Sequence, residues 1–459
     1  MTILPADVSQ RADVGEAFPF VVVASGTAGV RVAAEFWKLV CASHKFDHTR
    51  HDFELKDAAG HAGIMFGPRP KQGIAARTIL VDTETSETSA IKRDVPIIRP
   101  ESIVQGEGGG AKNYGDGRLA FDELKPEIEE SFDQIVGKVE NLHGVLHIHS
   151  VGGGTGSGLG SKLTTMIRQR QKRTLIASAI ILPDPEYDPV RDPFASTNAI
   201  LALADLLQSS DLVILFDNYA IRQIMAEEEV PVSELSKLRA RIMKLRKTPE
   251  HGEPAHMYEG HNVVMADFLE RLTSVFRFRT GQGFDWKETI IYSCPRKHDK
   301  LVIPMSYPMI PGESAEDAIS AASGCLDGAH HLVNCTLKEQ KASSCVFLVD
   351  GRVNEDDIRA VKIETKNSCT MTNERQIAVV PGRLDFHVSR AIGLLNTSAV
   401  SKRIDDFAKQ TEDMLETEIG LAWYEDSGVH RQEIEQKLSS VRKALERYYN
   451  YAASSTERK

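Results

Sequence analysis

The 459-residue sequence predicts an α/β protein with a doubly wound parallel sheet, and two observations support that prediction. Short, uninterrupted apolar runs recur along the first half of the chain, and segments with helical apolar spacing lie between them. This alternation is typical of buried parallel strands that are covered by helices on both faces. Because ligands of such sheets bind beyond the carboxyl ends of the strands, the residues after each run are the candidate site.

Five apolar runs are predicted to form the strands of this sheet, and the first of them is followed by a tight loop and a helix. The runs occupy residues 20–24, 76–82, 144–150, 175–182 and 212–216.

The second half of the chain is predicted to contain a long central helix, a mixed α+β region and a pair of C-terminal helices. Residues 258–277 are apolar on more than one side, as expected of a helix buried between domains. A strand is expected at 344–349, and Ser427 with Gly428 is expected to form the turn between two antiparallel helices. The apolar positions of these two helices are Ile404, Phe407, Met414 and Ile419, and then Ile434, Leu438, Val441, Leu445 and Tyr448.

The composition excludes several classes of protein. The chain has 55 Lys and Arg against 65 Asp and Glu, and a net charge of -10 argues against a nucleic-acid partner. No run of about 18 apolar residues and no signal-peptide pattern occurs, which predicts no membrane span. The six cysteines contain no CxxC pair and are typical of reduced thiols, so we expect a cytoplasmic protein.

The strongest motif is the glycine-rich segment GGGTGSG, which runs from Gly152 to Gly158 between a predicted strand and a predicted helix. Glycines let backbone amides approach an anion, and a helix N-terminus adds partial positive charge. The hydroxyls of Thr155 and Ser157 are expected to donate to phosphate oxygens. The motif therefore predicts a phosphate-binding loop, because a flexible linker would not join a buried strand to a helix.

The spacing of glycine and lysine residues distinguishes this segment from two known kinds of phosphate-binding loop. A Walker loop needs lysine directly after glycine, whereas Lys162 follows Ser161. The dinucleotide pattern GxGxxG is also missing from this segment. An NAD-dependent oxidoreductase is therefore only an alternative, which NAD binding would test.

The GGGTGSG segment in this position resembles the signature of the tubulin and FtsZ superfamily. Further matching segments follow in family order over essentially the whole chain: Phe36-Trp37, VDTE at 81–84, FDN at 216–218 and Trp423-Tyr424. The C-terminal helices and residues 317–335 resemble tubulin more than the bacterial division protein FtsZ. The resemblance implies the tubulin fold: a leader at 1–17, a GTP-binding domain at 18–257 with a basic insertion at about 229–257, a central helix at 258–278, an α+β activation domain at 279–397 and a C-terminal helical hairpin at 398–459.

The resemblance also implies which residues bind GTP or GDP and Mg²⁺. Gly26, Thr27 and Ala28 correspond to the first nucleotide loop, which lies under the phosphates. Asp82 and Glu84 correspond to the acidic strand end that holds Mg²⁺ through water, in keeping with the preference of this ion for oxygen ligands.

The other nucleotide contacts implied by the resemblance fall in a γ-phosphate loop, the GGGTGSG segment, a ribose loop at 183–194 and a base-binding set. In that order, these residues are Glu107, Gly108, Gly109 and Gly110; Gly152, Gly153, Gly154, Thr155, Gly156 and Ser157; Asp188 and Asp192; and Asn218, Tyr258 and Asn262. Tyr258 and Asn262 stand four apart, so a helix would bring them to one face to stack on and hydrogen-bond guanine.

Residues 277–288 (RFRTGQGFDWKE) resemble the segment of α-tubulin that enters the nucleotide pocket of the neighbouring subunit. The resemblance implies that Glu288 activates the water that attacks the γ-phosphate of the next subunit, with Asp285 as its partner. Hydrolysis would then require head-to-tail assembly. Since β-tubulin carries lysine at this position, Glu288 favours an active interface and a homopolymer. Without the resemblance, a charged turn after a buried helix would be the simpler interpretation.

Several residues depart from the family pattern. Thr27 replaces a glutamine, Val30 and Arg31 replace Asn-Gln, the loop at 309–315 is short, and the chain ends in SSTERK without an acidic tail. The changes at Thr27, Val30 and Arg31 concern the metal and base contacts, whereas the short loop and the missing acidic tail favour a divergent, prokaryotic tubulin.

The expected function is that of a GTP-hydrolysing cytoskeletal subunit, which assembles with itself or with a second tubulin. Two alternatives stay open: a non-catalytic or partner-dependent subunit of a hetero-polymer, and an FtsZ-like division-ring GTPase. His44, His48 and His51 have a metal-like spacing, but their polar surroundings without cysteine disfavour zinc.

Overall fold

The computed structural model describes residues 19–48, 60–69, 73–137, 142–184, 194–227, 258–278, 284–309, 314–337, 340–351, 353–372, 376–382 and 389–453. The predicted leader, the basic insertion, Asp188 and Asp192 of the ribose loop, His51 and the last six residues lie outside this range.

Thirteen strands occur in the described part of the chain. They are β1 (Phe20–Ser25), β2 (Phe66–Arg69), β3 (Gly73–Ala76), β4 (Thr78–Asp82), β5 (Ile103–Gln105), β6 (Gly144–Ser150), β7 (Ile176–Leu182), β8 (Leu212–Asp217), β9 (Leu301–Tyr307), β10 (Lys341–Asp350), β11 (Thr370–Met371), β12 (Ile377–Pro381) and β13 (Arg390–Thr397).

Helices connect and cover these strands. They are α1 (Gly26–Ser43), α2 (Thr85–Asp94), α3 (Tyr114–Val136), α4 (Gly160–Arg170), α5 (Ala195–Ser209), α6 (Asn218–Glu227), α7 (Glu259–Arg277), α8 (Trp286–Ser293), α9 (Ala318–Leu326), α10 (Glu355–Ser368), α11 (Val400–Thr417), α12 (Leu421–Asp426) and α13 (Arg431–Ala453).

The first part of the sheet has the spatial order β5-β4-β1-β6-β7-β8, and every neighbouring pair is parallel. The predicted doubly wound α/β fold is confirmed. The chain leaves β1 toward β4 on one side and later returns to place β6 on the other, so the strand order reverses between β1 and β6. This switch point is where open α/β sheets bind their ligands.

Alternate residues of each strand face opposite layers, as the two-residue period of a strand requires. Val21 and Val23 of β1 pack with the apolar residues of α3 and α4. Val22 and Ala24 pack instead with the apolar residues of α1 and α7. Both faces of the sheet are therefore covered, which explains the continuous apolar runs in the sequence.

The sheet continues beyond the central helix, because β9 pairs with β8 in parallel at Val213↔Leu301 and Ile214↔Val302. The antiparallel strand β13 follows β9, and β10 follows β13, so all but β2 and β3 belong to one eleven-stranded sheet. The region after α7 thus shares the sheet of the first half of the chain instead of forming a sheet of its own.

The central helix α7 is buried over nearly its whole length and carries charges that are paired across the interior. Arg390 of β13 donates to Asp267 at 2.6 Å, and Arg271 donates to Asp350 of β10 at 3.3 Å. Buried charges are tolerated only with such partners. These pairs attach α7 to the second half of the sheet.

The C-terminal region differs from the predicted pair of helices, because the short helix α12 lies between α11 and α13. Helix α11 ends at Thr417, and Glu418 and Gly420 adopt left-handed backbone conformations with φ of 59° and 89°. Left-handed residues terminate helices. Ile419 therefore lies outside the apolar stripe that the sequence predicted, and its side chain is 75 % exposed.

Candidate nucleotide-binding site

A cavity of about 670 Å³ lies beyond the carboxyl ends of β1, β6, β7 and β8. The structure brings seven of the predicted residues to its wall, although they are far apart in sequence. They are Thr27, Ala28, Gly152, Gly153, Asn218, Tyr258 and Asn262. Pro183 and Asp184, the first residues of the predicted ribose loop, also line the cavity. Further lining residues were not assigned to the site from the sequence: Arg31, Ser150, Ile181, Ala195, Ser196, Met265 and Gln410.

Glycines beside the cavity allow backbone segments to approach one another closely. A Cβ on Gly26, whose φ is +69°, would lie 3.0 Å from the amide nitrogen of Gly156. A Cβ on Gly156 would lie 2.2 Å from the carbonyl oxygen of Ser150, and one on Gly154 would lie 2.5 Å from that of Ala111. No other residue type fits these contacts without a shift of the backbone.

The predicted loop is largely the first turn of a helix. Thr155–Leu159 form a π-helical turn that runs directly into α4. The buried Ser157 hydroxyl donates to the Gly154 carbonyl at 3.2 Å, and the Thr155 and Thr83 hydroxyls are 2.8 Å apart. The two hydroxyls expected to face phosphate thus have partners within the protein. What the turn offers an anion is the backbone amides and partial charge of a helix N-terminus.

The two predicted magnesium ligands lie beside the first nucleotide loop. Asp82 ends β4 and is buried, and the Thr27 hydroxyl donates to its carboxylate at 3.1 Å. Burial raises the pKa of Asp82 to about 6. Glu84 is exposed, and a Cβ on Gly110 would lie 2.6 Å from its Oε1 atom, so the predicted γ-phosphate loop lies against Glu84.

The residues of the γ-phosphate loop, Glu107, Gly108, Gly109 and Gly110, are exposed. No cluster of three or more His, Cys, Asp or Glu side chains suited to a metal occurs among the described residues. The two carboxylates fit a hard cation that also takes oxygens from phosphate or water.

The base-binding end of the cavity contains an unpartnered acceptor. The Oδ1 atom of Asn218 is buried and has no hydrogen-bond partner among the described residues. Buried polar atoms of this kind are rare and call for a partner. Tyr258 and Asn262 lie one helical turn apart at the start of α7, and the Asn262 amide donates to the Tyr258 carbonyl at 2.9 Å.

Residues outside the cavity hold its wall in place. Asn198 of α5 donates its side-chain amide to the Gly152 carbonyl at 2.7 Å. Arg403 of α11 lies 2.9 Å from the Asp217 carboxylate and donates to the Pro183 carbonyl at 3.0 Å. Sequence spacing could not reveal these contacts, because they join segments that are distant along the chain.

The two predicted catalytic acids cap helix α8. The Asp285 carboxylate accepts from the amides of Lys287 and Glu288 at 2.7 and 3.1 Å, and the Glu288 carboxylate accepts from the Asp285 amide at 3.3 Å. Burial raises the pKa of Asp285, but its hydrogen bonds outweigh burial and leave the pKa below its ordinary value. Burial and the neighbouring Asp285 raise the pKa of Glu288 to about 7.

Trp286 lies between these acids in the sequence and fixes them at the edge of the sheet where the parallel strands begin. Its ring packs edge-on against Phe20 at 4.9 Å and covers Gly144, and its Nε1 donates to the Leu175 carbonyl at 3.3 Å. These three residues stand at or just before the first residues of β1, β6 and β7. At about 3.3 Å per residue, the seven-residue strand β6 separates the two edges by roughly 20 Å. Within one chain, Asp285 and Glu288 therefore lie at the edge of the sheet opposite the cavity.

Of the three histidines with a metal-like spacing, His44 contacts residues at the end of α7, and His51 lies outside the described residues. The Nε2 atom of His44 lies 3.2 Å from the Arg277 guanidinium, and its ring stacks on Phe278 at 4.8 Å.

Of the helices described, none is both long and apolar enough to cross a membrane.

The open parallel sheet, with a glycine-rich helix N-terminus at its switch point, defines a nucleotide-binding α/β protein. Residues 19–226 match the family model of the Tubulin/FtsZ family, GTPase domain. These residues therefore form a GTPase domain of the Tubulin/FtsZ family.

Curated relatives match almost the whole chain. The tubulin beta chain of Aspergillus fumigatus is 23% identical over 454 residues, which cover 94% of each chain. The tubulin beta-6 chain of Gallus gallus is 23% identical and covers 93% of each chain. The tubulin beta-1 chain of Homo sapiens is 22% identical over 93% of this chain and 92% of its own. The prokaryotic origin stays a prediction.

Proposed function

We propose that this GTPase-family protein is a filament subunit that binds GTP with Mg²⁺ and hydrolyses it across the contact between two subunits. One observation carries the proposal: the nucleotide cavity and the acid pair lie at opposite edges of one sheet. A head-to-tail stack of subunits would bring the acids of one subunit to the cavity of the next.

GTP would lie along the carboxyl edge of the sheet. Its phosphates would face the helix N-terminus that begins at Gly154, while Asp82 and Glu84 would hold Mg²⁺, which neutralises phosphate charge. The base would lie between Tyr258 and the buried Oδ1 of Asn218. Contacts of Asp188 and Asp192 with the ribose stay a prediction.

The acid pair has the electrostatic asymmetry that a water-activating site needs. Asp285 is held as a carboxylate by backbone amides, while Glu288 has a pKa near neutrality and can accept a proton. Glu288 would take the proton from the attacking water, and Asp285 would fix the position of Glu288 through their shared cap.

Exposed apolar side chains at both edges support the head-to-tail contact. Ile291 and Tyr292, here named the acid-end patch, lie on α8 and are 50 % and 39 % exposed. Ile419 and Trp423, here named the cavity-end patch, are 75 % and 57 % exposed. Trp423 packs at 4.9 Å against Phe194, which directly precedes the cavity wall. Exposed patches of this kind often mark interaction sites.

The charges next to the two patches are opposite in sign. Arg296 and Lys297 are exposed directly after α8, at the acid end. Glu425 and Asp426 are exposed at the end of α12, beside Trp423. Opposite charges on the two ends favour association in one orientation.

A second candidate function is a partner-dependent or non-catalytic subunit of a hetero-polymer. It is favoured by the names of the relatives, which are tubulin beta chains. Glu288, which stands where the resemblance places lysine in β-tubulin, favours the first function instead. Pelleting the purified chain with GTP separates the two functions. An FtsZ-like ring and a second tubulin as partner remain alternatives within the same family.

The rate of GTP hydrolysis per subunit is expected to rise with protein concentration, because each active site would need two copies of the chain. The rate should be low below a threshold concentration and approach a plateau once most subunits are assembled. Phosphate release, measured beside light scattering over a dilution series, checks this expectation.

The variant Trp423→Ser provides a matched test of the contact. It should move the threshold to higher concentration without weakening GTP binding by the unassembled subunit, since Trp423 does not line the cavity. A rate per subunit that is constant across the dilution series would exclude catalysis in trans.

The hydrolysis rate of the polymer is also expected to depend on pH through Glu288. Its pKa of about 7 means that the proton-accepting carboxylate dominates above pH 7 and is lost below it. The rate should therefore fall by up to about tenfold per pH unit below about pH 7 and level off above about pH 8. Phosphate release at saturating GTP, with polymer mass measured at each pH, tests this.

The Glu288→Gln variant should keep only a small residual rate without this pH dependence. A wild-type rate that stays constant across the same range, with constant polymer mass, would contradict Glu288 as the base.

A further inference from the structure

Arg31 lines the cavity but takes no part in the contacts proposed above. It lies on α1 three and four residues after Ala28 and Thr27, so these three side chains share one face of the helix. Helix α1 packs along α7, which contributes Asn262 and Met265 to the cavity wall. Arg31 is therefore on the side of the cavity where the base would lie.

The charge of Arg31 distinguishes it from the other residues of the wall. Among the described lining residues, it has the one basic side chain, and Asp184 has the one acidic side chain. The Asp184 carboxylate accepts from the Arg222 guanidinium at 2.6 Å. The acid of the wall thus has a cation outside the cavity as a partner.

The donors and acceptors of the wall match the two edges of guanine. Guanine carries N–H donors at N1 and N2, and the buried Oδ1 of Asn218 is an acceptor that lacks a partner among the described residues. Guanine also carries acceptors at O6 and N7, which the planar fork of arginine recognises with two parallel hydrogen bonds. Adenine has an amino group in place of O6, so a hydrogen-bond donor of the base would lie opposite a donor of the guanidinium.

We propose that Arg31 is a specificity-determining residue that binds the O6 and N7 edge of guanine and so selects guanine over adenine nucleotides. This inference rests on the proposed GTP function and assigns the role of one residue within it. It also gives a chemical role to a departure from the family, because Arg31 stands where the resemblance places glutamine.

Binding of base analogues to Arg31→Ala and to Arg31→Gln tests the inference. GTP, 7-deaza-GTP, inosine triphosphate and ATP are titrated against unassembled wild-type and variant protein. The wild type should bind 7-deaza-GTP, which lacks N7, more weakly than GTP. Arg31→Ala should bind GTP about tenfold more weakly, remove the difference between GTP and 7-deaza-GTP, and reduce the preference for GTP over ATP.

Inosine triphosphate serves as the internal control. It lacks the 2-amino group, which Arg31 does not contact in this proposal, so its disadvantage relative to GTP should persist in Arg31→Ala. Arg93, whose side chain is exposed and lies outside the cavity, offers a matched control variant, Arg93→Gln, which should bind all four nucleotides as the wild type does.

Two results would overturn the inference. If Arg31→Ala weakens GTP and 7-deaza-GTP equally, and the loss grows from GMP through GDP to GTP, Arg31 acts on the phosphates. If Arg31→Ala binds all the analogues as the wild type does, Arg31 makes no contact with the base. A wild type that binds no guanine nucleotide would instead overturn the proposed function itself, which separates the two failures.

Discussion

Glutamine in place of Glu288 is expected to lower GTP hydrolysis in the polymer by about 100- to 10,000-fold, while GTP binding and assembly persist. The loss follows because glutamine cannot accept a proton from the attacking water. Glutamine can still accept from the Asp285 amide, as Glu288 does at 3.3 Å, so the cap of α8 should survive. Phosphate release, measured with polymer mass by pelleting, checks both parts of this expectation.

A surface glutamate provides the control for this substitution. Glu127 is exposed on α3, and Glu127→Gln should hydrolyse GTP at the wild-type rate. If Glu288→Gln assembles and hydrolyses GTP at the wild-type rate, Glu288 is not the base, and the role taken from the family resemblance is wrong.

Alanine in place of Gly156 is expected to weaken GTP binding by about 100-fold or more. The added Cβ would lie 2.2 Å from the carbonyl oxygen of Ser150, and backbone on both sides of the contact must shift to accommodate it. This shift would move the amides of the first helical turn out of position for phosphate. Titration of the unassembled variant with a fluorescent GTP analogue measures the loss.

Gly328→Ala is the matched control, since no atom lies within 4 Å of a Cβ at that position. It should bind GTP as the wild type does. Thermal unfolding of both variants shows whether the Gly156→Ala chain is folded at the temperature of the titration. A folded Gly156→Ala protein with wild-type affinity would exclude this turn as the phosphate site.

The two variants together offer a direct test of catalysis in trans. Gly156→Ala subunits would lack bound GTP but carry an intact Glu288, whereas Glu288→Gln subunits would bind GTP without a base. A mixture should recover part of the hydrolysis that each variant has lost, because an intact acid pair can then face a loaded cavity. No recovery in a mixture that co-assembles would argue for catalysis within one chain.

Much of the fold could be predicted from the sequence because its strands are buried on both faces. Continuous apolar runs identified β1, β4, β6, β7 and β8 to within a few residues. The three-residue strand β5 gives no such signal, and its place at the sheet edge depends on pairing with β4. The pairing of β8 with β9 joins segments more than eighty residues apart, which local patterns cannot reveal.

The candidate site could be predicted in part for the same reason. Gly152 and Gly153 could be identified because glycine has a clear local meaning between a strand and a helix. The ring of Tyr258 and the amides of Asn218 and Asn262 gained their roles only through the family resemblance. Arg31 was visible in the sequence only as a departure, since its place in the wall depends on the packing of α1 against α7.

The continuous sheet has a mechanical consequence for a filament. The nucleotide-binding strands and the strands after the central helix meet at β8 and β9, where only two residue pairs lie in register. Load that passes from the cavity end of a subunit to its acid end crosses this short strand contact, the helix α7 and the packing of α11 and α13 on α5. The sheet itself would bend most easily between β8 and β9, while the packed helices would hold its two halves together and prevent them from swinging about an open hinge.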